Sequence, residues 1–302
     1  MRIAALLVVT ALGLTASGAA SAAPSTEDAW LAGLTDRVIE DLAAGKPLVV
    51  EVHVPLCEQT IIACGNAKLG DGDNPDTNLY WSTTPGFGSW FARRTSGWKR
   101  VLVQRAGETG DSDVLAVHVY RRSVTAPAAW RKRGAPARFE IDLVVRAWRG
   151  TAIDRALAAY AADLSGGAAH TLTLADNTTL ATGGAAQIVA WVGHNRLMDL
   201  APYTWPAPGA STKGAIAIAC HTAAYMEDTV PSATRVPLLM TRDFLFANAA
   251  PLEATVLAFA AGGSYGKIRV DAATAYAGVR ERTVKQVAGA FTNPADRRWK
   301  KR

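Results

Sequence analysis

Two side chains in this 302-residue chain pair naturally as a nucleophile and a base, and each follows an apolar run. His194 comes after Gln187 to Gly193 (QIVAWVG), and Cys220 comes after Ala215 to Ala219 (AIAIA). A thiol attacks a carbonyl carbon as the thiolate, which at neutral pH needs a base or a cation beside it. Histidine is the side chain that most often serves as that base. Short apolar runs without polar alternation read as strands buried on both faces of a parallel sheet. Reactive groups in such sheets collect at the carboxyl ends of the strands. If the two runs are parallel neighbours, His194 and Cys220 emerge at one edge as a base and a nucleophile. The connector from Asn195 to Gly214 exceeds the dozen or so residues that a parallel crossover needs. Its prolines 202, 206 and 208 leave room for only a short helix near Leu197 to Leu200. Alone, a cysteine at a strand end is a small buried hydrophobe and a single histidine is structural. The joint placement is what points to chemistry.

The elements that must position this pair can be read along the chain. Residues 27–44 carry Leu31, Leu34, Val38 and Leu42 at helical spacing after an acidic first turn, with Gly45 closing the helix. Pro47 to Pro55 (PLVVEVHVP) reads as a strand, as do 99–105, 114–121, 139–148, 187–193, 215–219 and a shorter run at 238–241. Residues 79–94 read as a helix broken around Pro85-Gly86, and 171–180 as a small hairpin around Asp176-Asn177. Residues 151–164, 251–261 and 271–282 read as helices. Apolar strands alternating with helices predict an α/β protein, a three-layer αβα domain with a mostly parallel central sheet. Runs 48–54, 187–193 and 215–219 are expected as neighbouring parallel strands.

The paired runs resemble the caspase–haemoglobinase fold of cysteine peptidases (clan CD). In that family an apolar strand ends in His-Gly and a second ends in Ala-Cys or Gly-Cys. Ala219-Cys220 after Ala215 to Ile218 matches the second block; His194 matches the first, with Asn195 standing where the family has Gly. The motif likeness covers residues 187–222, and strand order extends it over 47–245. It implies a caspase-like domain, with Cys220 as nucleophile and His194 as acid and base. It also implies an oxyanion held partly by backbone beside the histidine, where a close approach favours Gly, and a peptide or protein substrate. No cofactor is implied. The blocks LGDGDNP (69–75), NLYW (78–81), GHNRLMD (193–199) and FTNPADRRW (291–299) are similar to a set of uncharacterised exported bacterial proteins, which brings no activity with it.

Met1-Arg2, the apolar run Ile3 to Leu14 and Ala20-Ser21-Ala22 read as a signal peptide over residues 1–22, leaving 23–302 as a single domain. The apolar run falls short of the roughly 20 residues that a membrane span needs, and no later segment reaches that length. The expected location is therefore periplasmic or secreted, with no transmembrane segment. An exported chain with three cysteines implies one disulfide and one free thiol. Cys57 and Cys64 are close in one loop and form the expected pair, which leaves Cys220 free. The rival is that Cys57, which also follows a strand, is itself the reactive thiol or pairs with Cys220.

Apolar residues make up 49% and charged residues 19% of the chain, which excludes disordered and fibrous classes. The net charge of +6 is mild, and the basic clusters at Arg131 to Arg133 and Arg297 to Arg302 read as solvated surface, so no nucleic-acid partner is expected. Asp71, Asp73 and Asp76 are interleaved like a calcium loop but lack its glycine and its closing glutamate, so they read as an Asx-rich turn and no metal site is expected. The run Gly262 to Lys267 lacks the first glycine and the Ser or Thr of a phosphate loop. Trp81, Trp90 and Trp98 read as core packing ahead of a groove for peptide or sugar. The leading expectation is an exported, caspase-like cysteine hydrolase. The alternative is a non-catalytic envelope or secreted binding protein on the same fold.

Overall fold

The computed structural model describes residues 26–246 and 248–296. The expected signal peptide and the basic tail from Arg297 lie outside the described residues. The strands are β1 (Leu48–Pro55), β2 (Lys99–Arg105), β3 (Val114–Thr125), β4 (Arg138–Trp148), β5 (Ala169–Thr173), β6 (Thr179–Gly183), β7 (Ile188–Val192), β8 (Lys213–Ile218), β9 (Arg235–Thr241) and β10 (Phe291–Thr292). The α-helices are α1 (Thr26–Ala43), α2 (Phe87–Trp90), α3 (Ala128–Arg131), α4 (Ile153–Leu164), α5 (Thr222–Met226), α6 (Ala250–Ala260), α7 (Tyr265–Val279) and α8 (Val284–Val287).

An eight-stranded sheet runs in the order β10-β9-β8-β7-β1-β4-β3-β2, while β5 and β6 form a separate hairpin. The five strands from β9 to β4 are parallel, and the edges β10 and β3-β2 are antiparallel. The chain is thus α/β with a mostly parallel sheet, and the expected adjacency of β1, β7 and β8 is present. Every residue of these three strands is buried because helices cover both faces. Successive side chains of a strand point to opposite faces. Ile188, Ala190 and Val192 therefore join the core with α1, α6 and α7, whereas Val189 and Trp191 join the core with α4 and α5.

Several bounds differ from the sequence reading for identifiable reasons. Only α2 is helical in residues 79–94, because a Pro85-Gly86 turn precedes it and Gly86 packs on the Trp81 carbonyl. Helix α7 begins at Tyr265, where the Ser264 side chain accepts from the Lys267 amide, so the glycines of 262–263 lead into a helix cap. The α8 turn and the two-residue β10 are too short for a periodic signal.

Candidate active site at the carboxyl edge of the sheet

Strand β7 delivers His194 and β8 delivers Cys220, side by side at the carboxyl edge. The chain leaves β7 through Gly193 at φ 126°, a backbone conformation that side chains disfavour; a Cβ there would also meet the Pro55 carbonyl oxygen at 3.3 Å. Beyond it a short 3₁₀ turn at Arg196–Met198, capped by the Asn195 side chain, brings Asp199 back to the histidine. Asp199 Oδ2 lies 2.6 Å from His194 Nε2. A carboxylate can only accept, so Nε2 carries the proton of the neutral ring and Nδ1 keeps its lone pair. Nδ1 is buried and has no hydrogen-bond partner among the described residues. Arg196 braces this turn by donating to Asp154 at the start of α4, and its hydrogen bond holds the Asp154 carboxyl below the usual range.

Cys220 is the free cysteine, and Cys57 is bonded to Cys64, as expected. The thiol lies 3.5 Å from the Leu245 amide and 3.7 Å from the Leu245 carbonyl. It opens on a cleft of about 400 Å³ lined by Phe244, Phe246, Tyr276, Arg280 and Arg282 among others. No hydrogen bond joins His194 to Cys220 among the described residues. The two loops are tied instead through Asn195, whose amide donates to the Cys220 carbonyl at 2.7 Å while its oxygen accepts from the Leu197 amide. Asn195 is thus a brace between the two strand ends. Next to the thiol, His221 adopts the left-handed conformation (φ 50°) that turns β8 directly into α5. Its Nδ1 lies 2.9 Å from the Arg242 carbonyl, and its ring meets Phe244 edge-on.

Two residues at this edge of the sheet leave no signal in the sequence. Asp199 is five residues beyond His194 and becomes its partner only through the 3₁₀ turn. Tyr80 comes from the loop after β1, and its ring lies against Gly193, where an added Cβ would be 3.4 Å from Tyr80 Cδ2. Burial raises the Tyr80 pKa, with the charge of a Cys220 thiolate adding to it, so the phenol stays protonated.

Other candidates fall into structural roles. Asp71 and Asn74 accept backbone amides of Asp73 and Asp76, giving the expected Asx turns. Trp90 and Trp98 spend their indole N–H groups on Glu253, which Arg122 also reaches. Glu51, His53 and Asp163 bring potential ligand atoms within 4.8 Å of one another. In that cluster, however, Arg146 pairs with Glu51, the Gly183 amide donates to Glu51, Trp148 donates to His53 Nδ1, and His53 Nε2 meets Asp163. The cluster is already closed on itself as a buried hydrogen-bonded network. No helix among the described residues is long and apolar enough to cross a membrane.

Comparison of the chain with known protein families, curated proteins and solved structures finds no significant match.

Proposed function

We propose that the protein is an exported, thiol-dependent hydrolase of peptide bonds on the caspase–haemoglobinase plan, with Cys220 as nucleophile, His194 as its base and Asp199 as the carboxylate that orients the base. The support comes from the His194 ring: one nitrogen is fixed by a carboxylate and the other is buried with its lone pair unused, at the end of the strand beside the one that ends in Cys220. Leaving a buried acceptor unpaired costs about 1–3 kcal/mol, a cost that taking up the thiol proton would offset. This is the arrangement of a base held by a third group that activated nucleophiles use.

In the reaction, His194 Nδ1 takes the thiol proton and Sγ bonds to the carbonyl carbon, whose π pair moves to oxygen. Collapse of that adduct breaks the C–N bond, and the departing amine leaves with the proton from His194. Water, losing a proton to Nδ1, then hydrolyses the thioester and returns the thiol. The leader read at residues 1–22 and the Cys57–Cys64 disulfide fit an oxidising compartment, so the substrates are peptides or proteins met outside the cytoplasm.

A second reading, a non-catalytic binding protein on the same fold, is favoured by the grip of the Leu245 backbone on the thiol. A peptidyl acyloxymethyl ketone separates the two. Intact-mass analysis of the folded protein should show one adduct, mapped to Cys220, that disappears in both Cys220→Ser and His194→Ala. A folded wild-type protein that stays unmodified and reacts only in denaturant would leave the binding protein.

A further inference from the structure

The cleft that holds Cys220 is walled by the segment Asp243 to Phe246 and by the end of α7. The backbone of that segment is already engaged. The Leu245 amide meets the Cys220 sulfur, the Phe244 amide donates to Asp243 Oδ1, and the Phe246 amide donates to the Tyr276 hydroxyl. Just before them, the Arg242 amide donates to the Ala290 carbonyl, which extends the pairing of Thr241 on β9 with Phe291 on β10. The edge of β9 beside the cleft is thus covered by β10, and the wall presents no row of free amides. A peptide that binds by adding to a sheet edge takes its affinity from such main-chain hydrogen bonds. This wall has to recognise its ligand through side chains instead.

Those side chains are cationic. Helix α7 ends at Val279, and Glu281 takes the left-handed conformation (φ 51°) that helix ends usually give to glycine. The turn puts both of its neighbours, Arg280 and Arg282, on the cleft, while Glu281 is not among the lining residues. Arg280 lies over the Phe246 ring, 4.9 Å from its centre. Neither guanidinium has a carboxylate partner among the described residues, whereas the nearby Arg242 is held by Asp296. Against the two arginines the lining sets a single acid, Asp243. A guanidinium matches a carboxylate with two parallel hydrogen bonds, so the complementary ligand is a carboxylate. The volume of about 400 Å³ is near the low end for ligand clefts and suits a short segment. We infer that Arg280 and Arg282 bind the free C-terminal carboxylate of a short peptide, whose amide bond near that end is attacked by Cys220. A chain end supplies the carboxylate and needs no main-chain pairing beyond it. Sγ bonds to the carbonyl carbon, the C–N bond breaks, and the departing amine takes its proton from His194 and leaves with the carboxylate. The arginines neither give nor take a proton. This substrate class rests on the hydrolase reading, and the test separates the two ideas.

Two measurements use the full mature protein and the double variant Arg280→Gln/Arg282→Gln, with circular dichroism to show that both are folded. The first compares iodoacetate with iodoacetamide, which alkylate the same sulfur by displacing iodide and differ in that iodoacetate carries a carboxylate. The double substitution should slow iodoacetate about tenfold while the iodoacetamide rate stays within about twofold of wild type. The second follows, by mass spectrometry, the cleavage of short peptides offered as free acids, as C-terminal amides, and as amides with an internal glutamate. Wild type should cut the free acids near their ends, and amidation should lower kcat/KM about 10- to 100-fold. The same preference between the two alkylating agents in both proteins would overturn the arginine site, while any peptide cleavage by Cys220 stands. Amides with an internal glutamate cut as fast as the free acids would move the carboxylate to a side chain and overturn the chain-end claim. A wild type that prefers iodoacetate but cuts no peptide would remove the hydrolase reading, and this substrate class with it.

Discussion

His53 and His194 each meet an aspartate through Nε2, one in the middle of the sheet and the other at its edge. At His53 the second nitrogen accepts from Trp148, and the neighbouring Glu51 is matched by Arg146 and the Gly183 amide. At His194 the second nitrogen is buried and unmatched among the described residues. The residue types are the same and the first partner is the same; what differs is whether the surroundings close the ring's hydrogen bonding. Where the network is closed, its members hold β1, β4 and α4 together. Where it is open, the ring keeps an acceptor that a reacting group could use, which is the proposed role of His194. A histidine–carboxylate contact therefore says little about function until the second ring nitrogen has been followed.

The comparison makes graded predictions. The largest effect is expected in the closed cluster: Glu51→Ala leaves the Arg146 guanidinium without its buried partner and should cost about 3–5 kcal/mol in urea denaturation. His118 offers a test between the two extremes. Burial depresses its pKa from 6.5 to about 4, with the nearby Arg100 charge adding to the effect. The folded state thus resists protonation more than the unfolded chain does. The stability this group contributes is complete above about 6.5 and is lost as pH falls through about 4. Wild type should lose about 1–3 kcal/mol more than His118→Gln between pH 7 and pH 4 when unfolding is followed at each pH. His53→Ala should cost a similar 1–3 kcal/mol through the orphaned Trp148 and Asp163 groups, whereas His194→Ala, which removes an unpaired acceptor, should cost less than His53→Ala in the same measurement. The smallest effect is expected from Asp199→Asn, which keeps the shape but replaces the carboxylate that fixes the ring through Nε2. Its fold should be unchanged and its thiol alkylation slowed about tenfold at neutral pH. An equal loss of stability in the His53 and His194 variants would erase the distinction between the two clusters.

The sequence made the sheet edge readable because buried parallel strands leave a strong local trace: QIVAWVG and AIAIA have no polar alternation, and each ends in a reactive residue. The disulfide was readable from the closeness of its cysteines. The orienting carboxylate was not, because Asp199 reaches the ring through a three-residue 3₁₀ turn that has no periodic signal. Tyr80 was hidden for another reason. Its neighbour Gly193 lies far along the chain, and NLYW carries no motif that would point to it. Glu51 and His53 did leave a trace, as two polar residues inside the otherwise apolar PLVVEVHVP. A polar pair inside a central strand has to be matched by partners from neighbouring elements, and that rule alone would have pointed to the buried network.

The central claim is that His194 activates Cys220, and the rate of iodoacetamide alkylation of the folded protein tests it most directly. The comparison is of wild type, His194→Ala and His221→Ala at pH 6 to 7, with the adduct mapped to Cys220. An ordinary thiol is mostly protonated there, since its pKa is about 8.5, and reacts slowly. The account predicts fast alkylation in wild type, a loss of about a hundredfold in His194→Ala, and a rate close to wild type in His221→Ala, whose ring is engaged with Arg242 and Phe244. Equal rates in wild type and His194→Ala, or a loss confined to His221→Ala, would contradict it.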